Sequence, residues 1–284
     1  MINTKLARIM SIAGSDSGGG AGIQGDIKTI TALGGFATTS ITAITAQNTL
    51  GVNKILNVPE EMVEAQILSV LDDIGTDAIK IGMLSNEKII LCISNLLSKI
   101  NKNIPIVLDP VMVAKGGHKL LDIGAEKALI ENLMPLCSII TPNIPEAEVI
   151  TGKEINNIKD LERAGQEIIK MGINNVLMKG GHLTDNNLTD ILISKNKTDY
   201  FYSTKIITKN SHGTGCTLSS AIACGMGQQM NLYSAVERAH AFVNKSIKYA
   251  PNLGKGNGPL NHLINNIKNL NILLTRHNTI IHCS

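Results

Sequence analysis

The chain of 284 residues carries a net charge of +3, with 43% hydrophobic, 17% charged and 2% aromatic residues and no Trp; it is a globular sequence without the stacking side chains or the basic stripe of a nucleic-acid platform. Its five cysteines, an odd number with no Cys-x-x-Cys pair, argue against a disulfide framework or a zinc cage and for reduced thiols in the cytoplasm. No apolar stretch reaches the roughly 18 residues of a membrane span, and the apolar run near the N-terminus is too short for a signal peptide.

In chain order, apolar runs of strand length alternate with longer segments of helical period. Strands are predicted at Arg8–Ala13, Phe36–Ala46, Asp77–Ile81, Ile104–Leu108, Ser138–Ile140 and Asn175–Met178. Helices are predicted at Gln24–Ala32, Glu60–Asp73, Asn86–Ile100, Gly124–Asn132, Asp160–Met171, Thr217–Gln229 and Tyr233–Tyr249. This alternation implies an α/β fold with a mainly parallel sheet of about six strands, flanked by helices. Between Leu188 and Ile207 two β-rich runs flank Lys195-Asn196-Lys197-Thr198, which predicts an antiparallel hairpin at a sheet edge. No linker divides the chain, so a single domain is expected, with the tail after Leu263 unassigned.

Two loops carry the chemistry. Gly14-Ser15-Asp16-Ser17-Gly18-Gly19-Gly20-Ala21-Gly22 joins the first strand to the first helix, where glycines let the backbone turn tightly and approach a ligand. Gly20-Ala21-Gly22-Ile23-Gln24-Gly25 spells the dinucleotide fingerprint, but it does not follow its strand directly and no carboxylate ends the second strand, as that motif requires. The second loop, Asn210-Ser211-His212-Gly213-Thr214-Gly215-Cys216-Thr217, feeds a helix. The helix start offers backbone N–H groups and a dipole suited to a phosphoryl group in transfer. No Gly-x-x-x-x-Gly-Lys-[Ser/Thr] sequence is present, which excludes a P-loop enzyme. At that helix start, Cys216 is expected to have a lowered pKa, unless it is a buried packing residue.

From about Ile9 to His262 the chain resembles the ribokinase-like kinases, and within them the hydroxymethylpyrimidine/phosphomethylpyrimidine kinases of thiamine biosynthesis. The landmarks are Ala13 to Asp26, Thr45-Ala46-Gln47-Asn48-Thr49, Lys80-Ile81-Gly82-Met83-Leu84, Leu108-Asp109-Pro110-Val111-Met112, Thr141-Pro142-Asn143-Ile144-Pro145-Glu146-Ala147, Lys179-Gly180-Gly181-His182, the Gly-Thr-Gly-Cys loop and Gly258-Pro259-Leu260-Asn261-His262. The resemblance implies ATP and Mg²⁺ as co-reactants, two successive phosphorylations of one pyrimidine, and a homodimer.

Carried over by position, Gln47 would bind the aminopyrimidine through its paired donor and acceptor, with Gly14, Asp26 and Val111 completing the pocket. Asp109 and Glu146 would help hold hydrated Mg²⁺, Asn143 and Lys179 would contact ATP phosphates, and Gly213, Thr214 and Gly215 would form the anion hole beside Cys216. On sequence alone each polar member also has a structural reading: Gln47 as a strand-end cap, Asp26 as an exposed helix residue, Asp109 and Glu146 as loop or helix-start carboxylates, Lys179 as an exposed cation. Gly25 departs from the family's Ala, and His240 stands where relatives often carry Lys. A cysteine at the Cys216 position is shared with some pyridoxal kinases, so pyridoxal is the alternative substrate. A non-catalytic vitamer-binding protein would have no need of Asp109, Glu146, Lys179 and the Gly213–Cys216 loop.

Overall fold

The computed structural model describes residues 6–100, 102–112, 123–181 and 187–264. Nine strands form one sheet in the order β3-β2-β1-β4-β5-β6-β7-β8-β9: β1 (Arg8–Asp16), β2 (Phe36–Asn48), β3 (Gly51–Asn57), β4 (Ala78–Ile81), β5 (Ile106–Leu108), β6 (Ile139–Ile140), β7 (Asn175–Met178), β8 (Asn187–Ser194) and β9 (Thr198–Thr204). The stretch β2-β1-β4-β5-β6-β7 is parallel throughout, as the alternation of elements predicted. Its two flanks are antiparallel: the expected β8–β9 hairpin lies beyond β7, and β3 lies beyond β2.

The helices are α1 (Gly22–Ala32), α2 (Glu60–Asp73), α3 (Glu87–Leu97), α4 (Ile123–Ala128), α5 (Ile144–Thr151), α6 (Ile158–Lys170), α7 (Thr214–Gly227) and α8 (Leu232–Lys248). Asparagines start several of them: the side chains of Asn86, Asn157 and Asn231 accept from the first-turn N–H groups of α3, α6 and α8, satisfying donors that a helix start otherwise leaves open. Within the segment predicted as Gly124–Asn132, α4 gives way to a π-helical turn at Leu129–Leu133.

Side chains alternate between the two faces of the strands. Met10, Ile12, Ile79, Ile81 and Leu108 pack in an aliphatic core with α2 to α6. Ile9, Ala78, Val107, Ile139 and Leu177 face the other way, against α7 and α8. Between β1 and β4 the connections change direction, since the chain passes from β1 to β2 on one side and returns to β4 on the other. In open α/β sheets, ligands bind at the carboxyl ends of the strands beside such a switch point.

Candidate active site

On the α7 face, the sheet turns from apolar to polar as it approaches its carboxyl edge. Ile9 is followed two residues on by Ser11, Ala78 by Lys80, Val107 by Asp109, Ile139 by Thr141 and Leu177 by Lys179. The period of two that builds the core therefore also places a row of polar groups along one rim. Asp109 comes directly after β5 and Lys179 directly after β7, and the two meet as an ion pair of 2.9 Å. Thr141 Oγ1 donates to the same Asp109 oxygen at 3.2 Å.

The amino end of α7 is seated over this rim. Gly213 caps the helix with φ of 84°, and a Cβ there would lie 1.8 Å from the Gly20 carbonyl oxygen, so glycine is required for the two loops to touch. At Gly215 the helix meets the ion pair: a Cβ would fall 3.2 Å from Asp109 Oδ2 and 3.3 Å from Lys179 Nζ. The first-turn N–H groups of α7 have no partners within the helix, and here they converge with a lysine and two carboxylates.

Glu146 arrives from α5, where it closes a capping box: its carboxylate accepts from Asn143 N at 2.8 Å, while Asn143 Oδ1 accepts from Glu146 N at 3.0 Å. Burial pushes the Glu146 carboxyl up to about 7; Lys179 pulls against that shift and Asp109 adds to it. Lys179 is raised above its ordinary value because Asp109 and Glu146 outweigh the cost of burying its charge.

These groups border a cavity of about 620 Å³. By strand order, Gln47 and Val52 stand at its β2–β3 end, Leu188, Asp190 and Ser203 at its β8–β9 end, and Lys80, Asp109 and Lys179 between them. Gly14, Val111, Asn143, Glu146, Gly213, Thr214, Gly215 and Cys216 also line it. His240 lines the β8–β9 end, stacked on Phe201 and 3.1 Å from the Asp190 carboxylate. His118 and His182 lie outside the described residues.

Two expectations are corrected. Asp26 is neither exposed nor part of the cavity wall. It is fully buried behind the wall, bound by Lys80 Nζ at 2.8 and 2.9 Å, by Ser11 Oγ at 2.5 Å and by Ser220 Oγ at 2.7 Å. Four hydrogen bonds to one carboxylate leave it no capacity for a ligand. Nor is the Cys216 thiol acidified by its helix start. Although part of the residue opens on the cavity, burial pushes the thiol up to about 11; Lys80 pulls it down, Asp26 and Asp109 oppose that, and a hydrogen bond from the Gly22 N–H favours the thiolate. Desolvation outweighs the helix dipole here.

Three further residues emerge from the structure. Lys80 is a lysine with no exposed surface, and its charge is held by Asp26; removing one member of such a pair costs about 3–5 kcal/mol. Asp16 gathers the glycine-rich loop, accepting from Gly18 N at 2.8 Å, Gly20 N at 3.1 Å, Ala21 N at 2.9 Å and His212 Nε2 at 2.8 Å. His212 thereby ties that loop to the start of α7 and also lies 3.3 Å from the Gln47 amide.

A family model for phosphomethylpyrimidine kinase matches residues 16–261. The chain belongs to the phosphomethylpyrimidine kinase family. It is 44% identical over 256 residues to the hydroxymethylpyrimidine/phosphomethylpyrimidine kinase of Rhizobium meliloti, covering 89% of this chain and 96% of the relative. It is 45% identical to the thiamine biosynthesis bifunctional protein of Geobacter sulfurreducens, covering 90% of this chain and about half, 52%, of that longer protein. Among solved structures, the Bacillus subtilis pyridoxal kinase in its ADP complex superposes with a TM-score of 0.85 at 32% identity, over 92% of this chain and 98% of that one. The phosphomethylpyrimidine kinase family thus shares its ribokinase-like α/β architecture with a vitamin kinase of different substrate name. Among the described residues, no helix is long and apolar enough to cross a membrane.

Proposed function

We propose that this chain transfers the γ-phosphoryl group of ATP to the hydroxymethyl group of 4-amino-5-hydroxymethyl-2-methylpyrimidine, and then to the resulting monophosphate, as a single catalytic domain. The observation that carries this reading is the convergence of the α7 amino end, Lys179 and Asp109 at the middle of a cavity that has Gln47 at one end. ATP use is supported by the ADP complex of the pyridoxal kinase relative.

In the first step an acceptor oxygen forms a bond to the γ-phosphorus as the bond to the β–γ bridging oxygen breaks and ADP leaves. The charge on the transferring group requires fixed positive partners, which Lys179 and the N–H groups of Gly213, Thr214 and Gly215 supply, with Asn143 beside them. Cys216, as its thiolate, takes the hydroxyl proton on its sulfur. In the second step the acceptor is a phosphate oxygen that is already anionic and requires no base. Gln47, at the β2–β3 end, reads the ring nitrogen and exocyclic amine of the pyrimidine, with Gly14 and Val111 forming the surrounding wall.

Asp109 and Glu146 fit Mg²⁺. Both offer hard oxygen donors to one cavity, and a cation would relieve the mutual repulsion of these two carboxylates that helps raise Glu146. Mg²⁺ keeps several waters and takes few protein ligands, so two carboxylates are enough to help hold it. Bound there, Mg²⁺ would neutralise phosphate charge.

The test is ATP-dependent turnover of the hydroxymethylpyrimidine, its monophosphate and pyridoxal side by side. Both pyrimidines are expected to turn over with kcat/KM above that of pyridoxal. Turnover of pyridoxal alone would overturn the reading.

A further inference from the structure

Cys216 and Ser220 are one turn apart on α7, and residues so spaced share a helix face. Ser220 Oγ donates to Asp26 Oδ1 at 2.7 Å, so the same face carries Cys216 toward the buried pair of Lys80 on β4 and Asp26 on α1. Lys80 also borders the cavity, whereas Asp26 lies behind it. Gly82 leaves room for the ammonium: a Cβ there would come within 2.8 Å of Lys80 Nζ. The positive member of the pair is thus at the cavity and the negative member withdrawn from it. An ion pair oriented in this way presents a positive potential to whatever sits above it.

We propose that Lys80 is a positioning residue for Cys216: its ammonium, pinned by Asp26, is the fixed charge that sets how readily the sulfur gives up and takes back a proton. This rests on the reading of Cys216 as proton acceptor. Other charges face the sulfur too: Asp109 from β5 opposes the thiolate, and the Gly22 N–H at the start of α1 donates to it. Lys179, from β7, is paired with Asp109, and its charge serves the transferring phosphoryl group. Lys80 is accordingly the cation whose effect on the thiol is regulated by a partner outside the cavity.

Opposite signs are expected from the two halves of the pair. Lys80→Met removes the positive charge and should raise the pKa of Cys216. Asp26→Asn leaves an uncompensated ammonium and should lower it. Both variants break the same buried salt bridge and lose stability, so a purely structural role predicts shifts in the same direction or none.

The experiment follows carboxamidomethylation of Cys216 by iodoacetamide across pH, in the full-length chain free of nucleotide and divalent cation, with the Cys216 peptide quantified by mass spectrometry. At a fixed alkaline pH, alkylation is expected to slow at least about tenfold in Lys80→Met and to accelerate in Asp26→Asn, one pKa unit being a tenfold change in thiolate. Ser11→Ala removes one donor from Asp26 without removing a charge, so its fold should survive even where Lys80→Met does not. Its alkylation should slow about two- to threefold, because the Asp26 charge is then less dispersed. Shifts of equal sign in Lys80→Met and Asp26→Asn, or no shift in Ser11→Ala, overturn the proposal. Because alkylation does not require turnover, this result stands apart from the test of the kinase reading.

Discussion

Lys179 Nζ and Asp109 Oδ1 meet at 2.9 Å directly below Gly215, although seventy residues separate the two partners in sequence. The side chains come from the ends of β7 and β5, with β6 between them, so the sheet itself sets their separation. A cation and an anion held together at a strand edge can serve phosphate and metal at once, provided neither is consumed by the other.

Asp109→Asn and Glu146→Gln should each raise the Mg²⁺ concentration needed for half-maximal activity, because each removes negative charge from the oxygen donor set while keeping its shape. Asp109→Asn should have the larger effect, since it also releases Lys179. Magnesium titrations that superpose on the parent's in both variants would remove these residues from the metal site.

Gln47→Leu deletes a donor and an acceptor at similar bulk. The expected loss in kcat/KM for the pyrimidine is about 10- to 100-fold, the scale of one or two hydrogen bonds left unmade. Turnover of pyridoxal should change less, so the ratio of the two substrates is the measurement. An unchanged ratio would assign the Gln47 side chain to its contacts within the protein, where Oε1 accepts from Thr45 Oγ1 at 3.2 Å and Nε2 lies 3.3 Å from His212 Nε2.

Cys216→Ala should slow transfer to the alcohol about 10²-fold or more, the usual scale for a lost general base, and slow transfer to the monophosphate distinctly less. Burial sets the thiol at about 11, and the base must be deprotonated. Its active fraction therefore rises about tenfold per pH unit from about pH 7 to about pH 10. Single-turnover rates with each acceptor should show that slope for the alcohol in the parent chain and lose it in Cys216→Ala. Equal losses in both steps would mean that the side chain shapes the phosphate end and does not move the proton.

His262 is buried with Nε2 2.9 Å from Thr217 Oγ1, and desolvation followed by the Lys28 charge lowers its pKa from 6.5 to about 4. The unfolded chain binds this proton first on acidification, so the stability contributed by the neutral ring is complete above about pH 6.5 and is lost as the pH falls toward about 4, to the extent of about 3 kcal/mol. Glu146, raised to about 7 by burial, works in the opposite sense over the same window. The measurement is thus a difference: urea midpoints of the parent and of His262→Gln, which keeps a polar partner for Thr217. The gap between them should narrow as the pH drops, and a constant gap would show that His262 does not titrate there.

The parts of the fold written in periodicity were legible in the sequence. The bounds Glu60–Asp73 and Asn175–Met178 match the structure: the helix buries Val63 and Ile67 one turn apart, and the strand is a short apolar run buried on both faces. β3 was not read: Asn53 to Asn57 are all exposed, and an edge strand held by one neighbour leaves no burial pattern. α5 is too short to display a period, although Asn143, Pro145 and Glu146 are the start signals of a helix. At the site, local motifs located both loops and the row of strand-end residues. What they could not give were pairings across the sequence. Asp26 meets Lys80 fifty-four residues later, and only that meeting makes it a buried counter-ion. Lys80 did carry a signal of its own, a lysine among buried Ala78, Ile79 and Ile81. For Cys216 the dipole was visible in sequence and the depth of burial was not.

The carboxylate of Asp16 stands inside the glycine-rich loop much as a pyrophosphate oxygen stands inside a dinucleotide-binding turn. It has already taken the Gly18, Gly20 and Ala21 N–H groups that such a turn would hold out to an anion, and it has added a negative charge of its own. A loop built like this spells the fingerprint without offering those N–H groups to a phosphate. The two glycine-rich segments touch at Gly20 and Gly213, yet they carry opposite electrostatic sense, so a ligand with one anionic end and one neutral end has a single energetically sensible way to lie between them.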